Sequence, residues 1–327
     1  MILLNVFLIF VFCFFLIKAT DILIINLKKL AESTWLGEFF ITAFILALAT
    51  SLPELFIGIS SALEGTPALS LGNVIGSNIA DLSLVIGGAA VLGGGLSIEG
   101  LFLKRDVFYA FLAGSAPMLL LFDRKLSRID GIILLILYGF YNFSVLSERV
   151  SQVAEGRGKK QGWVRKILRR LKVGPSTRQV KEIAWIFFGA ALLLFSADML
   201  VKTAKTLALE LNLPVLLIGL IIVAVGTSLP ELVFEIKAIK AQKPQMALGD
   251  LLGSIVANGT LVIGTTALIA PFRVRAFGDY LLATMAYVVV FGLFYFFVRT
   301  KRKLERWEGA FLIGFYLAIV LFELAHP

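Results

Sequence analysis

Ten apolar runs divide this chain, at about 2–27, 36–62, 70–95, 106–122, 130–148, 183–203, 214–239, 246–270, 279–298 and 308–325. Roughly 20 apolar residues are what a helix needs to cross the hydrocarbon of a bilayer. At that depth only helices and closed barrels satisfy the backbone's donors and acceptors internally. Runs this long select the helix. Composition points the same way: 59% of the 327 residues are apolar, 16% are charged, and the mean hydropathy is +0.92, whereas a soluble domain is about 25% charged. The expectation is an all-α integral membrane protein with ten transmembrane helices. The first run reads as a retained span rather than a cleaved leader, since Met1 to Asn5 carries no basic side chain and no small-x-small pattern closes the run. The single cysteine, Cys13, leaves nothing for a disulfide within the chain, and the single histidine, His326, leaves no soft-metal set.

The net charge of +9 is distributed as a topology signal rather than as a nucleic-acid footprint. With the N-terminus facing outward, the inside loops hold 23 basic residues and the outside loops 7, while Lys18 lies within the first span. Both termini are therefore expected outside a cell membrane. Residues 149–182 are polar and basic, and read as a cytoplasmic linker between a first half, 1–148, and a second half, 183–327.

The halves repeat each other. Residues 45–92 and 222–269 align without a gap at an offset of 177, with 20 identities among 48 pairs. Five spans per half is an odd number, so the second half is expected to enter the membrane inverted. That is the inverted-topology repeat of secondary transporters, whose site lies near the midplane at the repeat interface. Neither an enzyme nor a channel needs this symmetry. A carrier that must offer one site to two sides does.

Pro53 and Pro230 each precede a glutamate, and each removes a helix hydrogen bond. The expected kink or break would free carbonyls near 47–50 and 224–227. Thr50 and Glu54 are four apart, as are Thr227 and Glu231, so hydroxyl and carboxylate share a helix face. Ser77 with Asp81, and Ser254 with Asn258, repeat that spacing on the next span and supply the opposite wall. Ser51 and Ser228 add two hydroxyls. Gly72, Gly76, Gly249 and Gly253 read as small-residue ridges for close helix contact. All the candidate ligands are hard oxygen donors, which suit Ca²⁺ and Na⁺. An ionised carboxylate at the bilayer centre costs roughly 2.5–3.5 kcal/mol even on the gentler scale, so Glu54, Glu231 and Asp81 together demand cations or protons. Rival ions taking turns at one such site is the physical basis of antiport.

Two further acids, Glu235 and Asp250, are placed about 6 Å to the cytoplasmic side of Glu231 and Ser254 by helix rise. They read as an inner vestibule that gathers cations, with pairing to Lys237, Lys240 or Lys243 as the competing reading. Asp21 and Asp198 read as interfacial polar residues.

The blocks Ala/Gly-Thr-Ser-Leu-Pro-Glu-Leu and Gly-Asn/Asp-x-x-Gly-Ser-x-x-Ala-Asn/Asp occur once in each half. On them the chain resembles the calcium/cation antiporter superfamily, and within it the prokaryotic sodium/calcium exchangers, over nearly its whole length. The resemblance implies that Glu54 and Glu231 are central carboxylates used by both calcium and sodium. It implies that Thr50, Ser51, Thr227, Ser228, Ser77 and Ser254 are oxygen ligands, with the carbonyls of Ala47 and Ala224, and that Asp81 and Asn258 complete the centre. It also implies that the first and sixth spans slide across the other eight. The chain departs from the family pattern in three places: Asp81 and Asn258 stand exchanged, Asp250 replaces the usual Asn (its mate is Asn73), and Glu235 is additional. The expected function is Ca²⁺ export against Na⁺ entry, with no covalent chemistry, no cofactor and no obligatory protein partner beyond the lipid bilayer. A proton/calcium exchanger, or one for another divalent cation, is the alternative. The motifs ending at Asp81 and Asn258 lack the further acid of the proton-coupled branch, which favours sodium, although Asp81 remains a candidate proton carrier.

Overall fold

The computed structural model describes residues 1–33, 51–97, 102–156 and 177–325, and wherever it describes the ten apolar runs they are helical almost throughout. The first half contributes α1 (Ile2–Ser33), α2 (Leu52–Leu63), α3 (Pro67–Ala80), α4 (Ile86–Gly93), α5 (Phe102–Leu120) and α6 (Arg128–Gly156). The second contributes α7 (Thr177–Leu211), α8 (Val215–Ile218), α9 (Ala224–Lys240), α10 (Pro244–Val256), α11 (Ile263–Ile269), α12 (Phe277–Lys301) and α13 (Arg306–Ala325). Short π-helical segments, Asp81–Val85, Gly219–Val223 and Ala257–Val262, join α3 to α4, α8 to α9 and α10 to α11. Among the described residues seven stretches are long and apolar enough to cross a membrane. The helices α6 and α13 stand on the fifth and tenth apolar runs, and α2 is the described end of the second. The protein is membrane-embedded.

Local chemistry explains where the central helices turn. Gly65 (φ +69°) follows α2 and Gln242 (φ +56°) follows α9, 177 residues later, both in the left-handed region. The amide of Thr66 then donates to Ser61 O at 2.8 Å, and that of Lys243 to Ala238 O at 2.9 Å, which satisfies carbonyls that the helix end leaves open. Pro67 and Pro244 start the next helices, where a missing N–H costs nothing.

Burial sorts the helices into two layers. The stretches Pro67–Gly93 and Pro244–Ile269 are 83% and 72% buried, whereas those of α1 and α7 are 22% and 28% buried. Apolar side chains such as Phe7, Phe143, Phe187 and Phe296 are accordingly exposed on the outer helices, as a lipid-facing surface requires. The two outer helices α1 and α7 pack against each other through an apolar cluster that holds Cys13, Leu16, Ala19, Leu193, Ala197 and Leu200 and reaches Ile57, Leu69, Ile218 and Val223 of the central helices. The central helices form a separate core with α5, α12 and α13.

Glycine lets the central backbones touch. A Cβ built on Gly72 would lie 2.0 Å from Leu216 O, one on Gly76 2.1 Å from Leu220 O, and one on Gly219 2.4 Å from Leu69 O. A Cβ built on Gly249 or Gly253 would meet no other described residue within 4 Å. The positions 177 residues before Leu216 and Leu220 lie outside the described residues. A second set of close approaches links Gly87 to Gly309 and Gly264 to Gly131.

Two short antiparallel ladders tie one half to the other. Strand β1 (Leu96–Ser97) pairs with β4 (Lys303–Leu304), and β2 (Lys125–Leu126) pairs with β3 (Phe272–Arg273). Each pairing joins loops that the alternation of ten spans assigns to the same side of the membrane.

Two expectations need correction. Pro230 does not break its span, because α9 runs through it from Ala224 to Lys240, and the departure from α geometry is the π segment just before. The first and sixth spans also outrun their apolar runs. Nothing stops α7 until Asn212, which caps it at φ +53° ahead of Pro214.

Gly72→Ala is expected to destabilise the detergent-purified protein by roughly 1–3 kcal/mol, since added core volume meets backbone here. Gly292→Ala, where a Cβ meets nothing within 4 Å, is the control expected to leave melting unchanged. Thermal unfolding of the two variants side by side checks this.

Candidate metal centre

Glu54 sits in the first turn of α2, directly after Pro53, and is 2% exposed. Glu231 follows Pro230 within α9 and is 5% exposed. Asp81 opens the first π segment and Asn258 lies in the third, so the two residues that close the signature blocks both stand on widened helix. Within those segments the hydroxyl of Ser83 donates to Ile79 O, and that of Thr260 donates to Val256 O at 2.5 Å, bonds that Ser and Thr side chains make to the carbonyl four residues back. Ser51, Ser77, Thr227, Ser228 and Ser254 are all buried as well.

Side chains from the two halves interleave. Ser77 Oγ and Thr227 Oγ1 are 3.3 Å apart, and Thr227 Oγ1 also lies 3.4 Å from Asn73 Oδ1. The same hydroxyl reaches the Glu54 carboxylate, while Ser228 reaches that of Asp81. Asn258 Nδ2 donates to Asn78 Oδ1 at 3.1 Å. Each acid of the first half is thus met by a hydroxyl of the second.

The electrostatics are one-signed. Glu231 lies in the field of Glu54, Asp81 and Asp250, and Asp81 in that of Glu54 and Asp250. No lysine or arginine among the described residues forms an ion pair with Glu54, Asp81 or Glu231. Ion pairs among the described residues elsewhere include Lys18 with Asp21 at 3.6 Å, and Lys202 with Asp198 at 2.9 Å and with Glu64 at 3.5 Å. Glu54 Oε2, Glu231 Oε2, Asp81 Oδ1, Ser51 Oγ and Asn258 Oδ1 are buried without a hydrogen-bond partner among the described residues. Such orphaned acceptors are expensive in a packed interior unless a cation or donor meets them. Among the described residues no three acidic, histidine or cysteine side chains converge into a cage of their own. An ion held here therefore takes its remaining ligands from hydroxyl, amide and backbone oxygens.

The structure brings together most, though not all, of the residues singled out in the sequence. Ala47 and Thr50 lie outside the described residues. The Ala224 carbonyl, expected to be freed by Pro230, accepts the Thr227 hydroxyl at 3.2 Å, because the helix continues and keeps the two within one turn. Glu235, expected at an open inner mouth, is 1% exposed, since Ile239 packs against Gly93 and closes that end of α9 onto α4. Asp250 is half-buried beside it. The competing expectation of lysine pairing is not met at Glu235. Lys237, Lys240 and Lys243 are exposed, and none forms an ion pair with Glu235 among the described residues. Asn73 and Asn78 join the site without a mark in the repeat: the position 177 residues after Asn78 is Ile255.

The sodium/calcium exchanger protein family model matches residues 4–146 and 181–325. The sodium/calcium exchanger MaX1 of Methanosarcina acetivorans is 28% identical over 341 residues, covering 94% of this chain and 95% of that one. The membrane protein MJ0091 of Methanocaldococcus jannaschii is 27% identical, covering 92% of each. A solved structure of the sodium-calcium exchanger NCX_Mj, soaked with 10 mM Na⁺ and zero Ca²⁺, matches with a TM-score of 0.61 and 25% identity, covering 98% of this chain and 99% of that one.

Thr227→Val keeps the shape of the side chain and removes the hydroxyl that Ser77, Asn73 and Glu54 share. Losing one hydrogen bond to a charged group, worth about 1.5–3 kcal/mol, is expected to weaken apparent Ca²⁺ affinity at least tenfold. Calcium binding to the purified variant, followed by isothermal titration, is the check.

Proposed function

This chain belongs to the sodium/calcium exchanger family, and we propose that it is a secondary active antiporter that exchanges Ca²⁺ for Na⁺ by alternating access. The observation that carries this reading is the pair Glu54 and Glu231. They occupy matched positions, stand in each other's field, and each leaves a buried oxygen with no partner among the described residues. One Ca²⁺, or several Na⁺, offsets the charge of these two acids and Asp81, and either set excludes the other. The ligands proposed beside them are Thr50, Ser51, Ser77, Thr227, Ser228, Ser254 and Asn258, with the carbonyls of Ala47 and Ala224. The family is one of transporters, and the mechanism needs no covalent step.

The proposed frame is ten spans in two inverted halves, 1–148 and 183–327, with the linker 149–182 in the cytoplasm and both termini outside. The recurrence of turns at Gly65 and Gln242 supports it, as do the two ladders that join loops of one side. The apolar contact of α1 and α7 with Ile57, Leu69, Ile218 and Val223 supports these helices as the pair that slides across the rest.

The test is calcium uptake into reconstituted vesicles under an outward Na⁺ gradient, compared with a pH gradient of equal driving force. Uptake is expected to follow sodium; uptake that follows only the pH gradient establishes the proton-coupled alternative instead. Glu54→Gln and Glu231→Gln are each expected to reduce exchange to the level of empty vesicles while eluting normally on size exclusion. Retained coupled flux in either variant would remove that residue from the site.

A further inference from the structure

The outer pair α1 and α7 is fastened to the central helices by contacts that the repeat does not duplicate. Lys202 of α7 reaches across to Glu64, the residue that caps α2, with Nζ 3.5 Å from Oε1. Asp198, one turn earlier on α7, holds the same ammonium at 2.9 Å, so the lysine is aimed before it meets its partner. On α1 the contact is steric. The thiol of Cys13 fills the place that a side chain would take at Gly226 of α9. A Cβ built on Gly226 would lie 2.5 Å from Cys13 Sγ and 3.3 Å from Cys13 Cβ. Each contact joins a helix of the pair to the frame, whereas Asn5 and Glu210 join the two outer helices to each other and travel with them.

The inverted repeat turns these contacts into a statement about energy. When a carrier of this kind changes its access, each half takes up the conformation that the other half had. A contact between two residues then passes to their mates in the repeat. At the offset of 177, the mates of Lys202 and Glu64 are Ile25 and Ala241, and those of Cys13 and Gly226 are Ala190 and Ala49. Isoleucine and alanine cannot form an ion pair. A methyl facing a methyl has neither the reach of a thiol nor a notch to receive it. Asp198 alone keeps its chemistry, in Asp21, which pairs with Lys18 on its own helix. The two positions of the pair therefore exchange their packing without exchanging these fastenings.

We propose that Lys202 with Glu64, and Cys13 with Gly226, form a catch that holds α1 and α7 in their observed position, and that the mirrored position has no equivalent. This rests on the reading of the chain as an alternating-access exchanger whose moving parts are these two helices. The catch makes the two access states unequal before any ion binds, so the empty carrier rests on one side. Its two contacts differ in kind. The ion pair is half exposed and is screened by salt, while the notch is buried beside Thr227 and answers only to shape.

The experiment reads the position of the pair directly in the purified, ion-free protein. Spin labels are attached at Leu209→Cys, exposed on α7, and Phe122→Cys, exposed on the frame, in a Cys13→Ser chain that keeps the shape of the thiol. Pulsed dipolar spectroscopy then gives the populations of the two distances. The share of the observed position relative to the other is expected to fall about threefold in Lys202→Met, the effect of an exposed ion pair. It is expected to recover when Lys202→Glu is combined with Glu64→Lys. Molar salt is expected to lower the ratio in the parent chain but not in Lys202→Met. Gly226→Ala, which fills the notch, is expected to lower it as well. If Gly226→Ala does not fold, a Cys13→Ala chain, which empties the notch instead, is compared with the Cys13→Ser chain. A shift in one set of variants alone removes the other contact from the catch. Ratios unchanged in both sets overturn the catch, and sodium-driven calcium exchange in vesicles then leaves the transport reading standing. A single distance that no ion shifts, in a chain that still exchanges, overturns the catch together with the assignment of α1 and α7 as the moving pair. A parent chain that exchanges nothing removes the reading beneath both.

Discussion

Carboxylates buried in a membrane interior without a basic partner are the constraint on which the rest of this structure depends. A resident lysine beside Glu54 or Glu231 would neutralise the charge permanently and fill the place an exchangeable ion needs. The neighbours here are instead hydroxyls and amides, which are neutral and hard. They orient the acids without cancelling them. The same requirement accounts for the close packing of the centre. Bringing the side chains of both halves together at this centre needs close backbone approach, and glycine supplies it where α3 meets α8 and the π segment that follows it. It also needs helices that can widen locally at Asp81 and Asn258 without losing their hydrogen bonds.

Much of this was legible in the sequence because repetition is a stronger signal than hydropathy alone. The offset that aligns the two glutamates also places Pro67 with Pro244 and Gly65 with Gln242, and the structure puts turns and helix starts at each. What stayed hidden has physical reasons. A π segment keeps the apolar composition of its neighbours, so nothing in the pattern marks Asp81–Val85 apart from Ser83, whose hydroxyl looks like any other until its acceptor is known. The consequence of Pro230 was misjudged because proline removes one bond, while a helix held on all sides has enough packing energy to continue. Asn78 escaped because matched positions were sought, and its value lies in a contact that one half makes and the other does not.

The placement of α1 and α7 outside the main core is the counterpart of this rigidity. Their mutual contacts are mainly apolar, with Asn5 Nδ2 donating to Glu210 Oε2 at 2.9 Å near one end, and they meet the central helices through side chains such as Leu69, Ile218 and Val223. Interfaces of this kind carry few directional bonds, so displacement along them loses little. Cys13 of α1 lies against Gly226, next to Thr227, which brings the outer pair to the edge of the candidate centre.

The two strand ladders have a mechanical consequence. Because β1 clasps β4 and β2 clasps β3, each half is stapled to the other at both mouths of the protein. A body fastened twice in this way resists opening like a hinge, which agrees with the proposed shuttling of the outer helices over a stationary frame. The staples also make each half a poor candidate for independent assembly. Each leaves its partner's strand edge unsatisfied when it is alone, and the pair is the smallest unit that closes on itself.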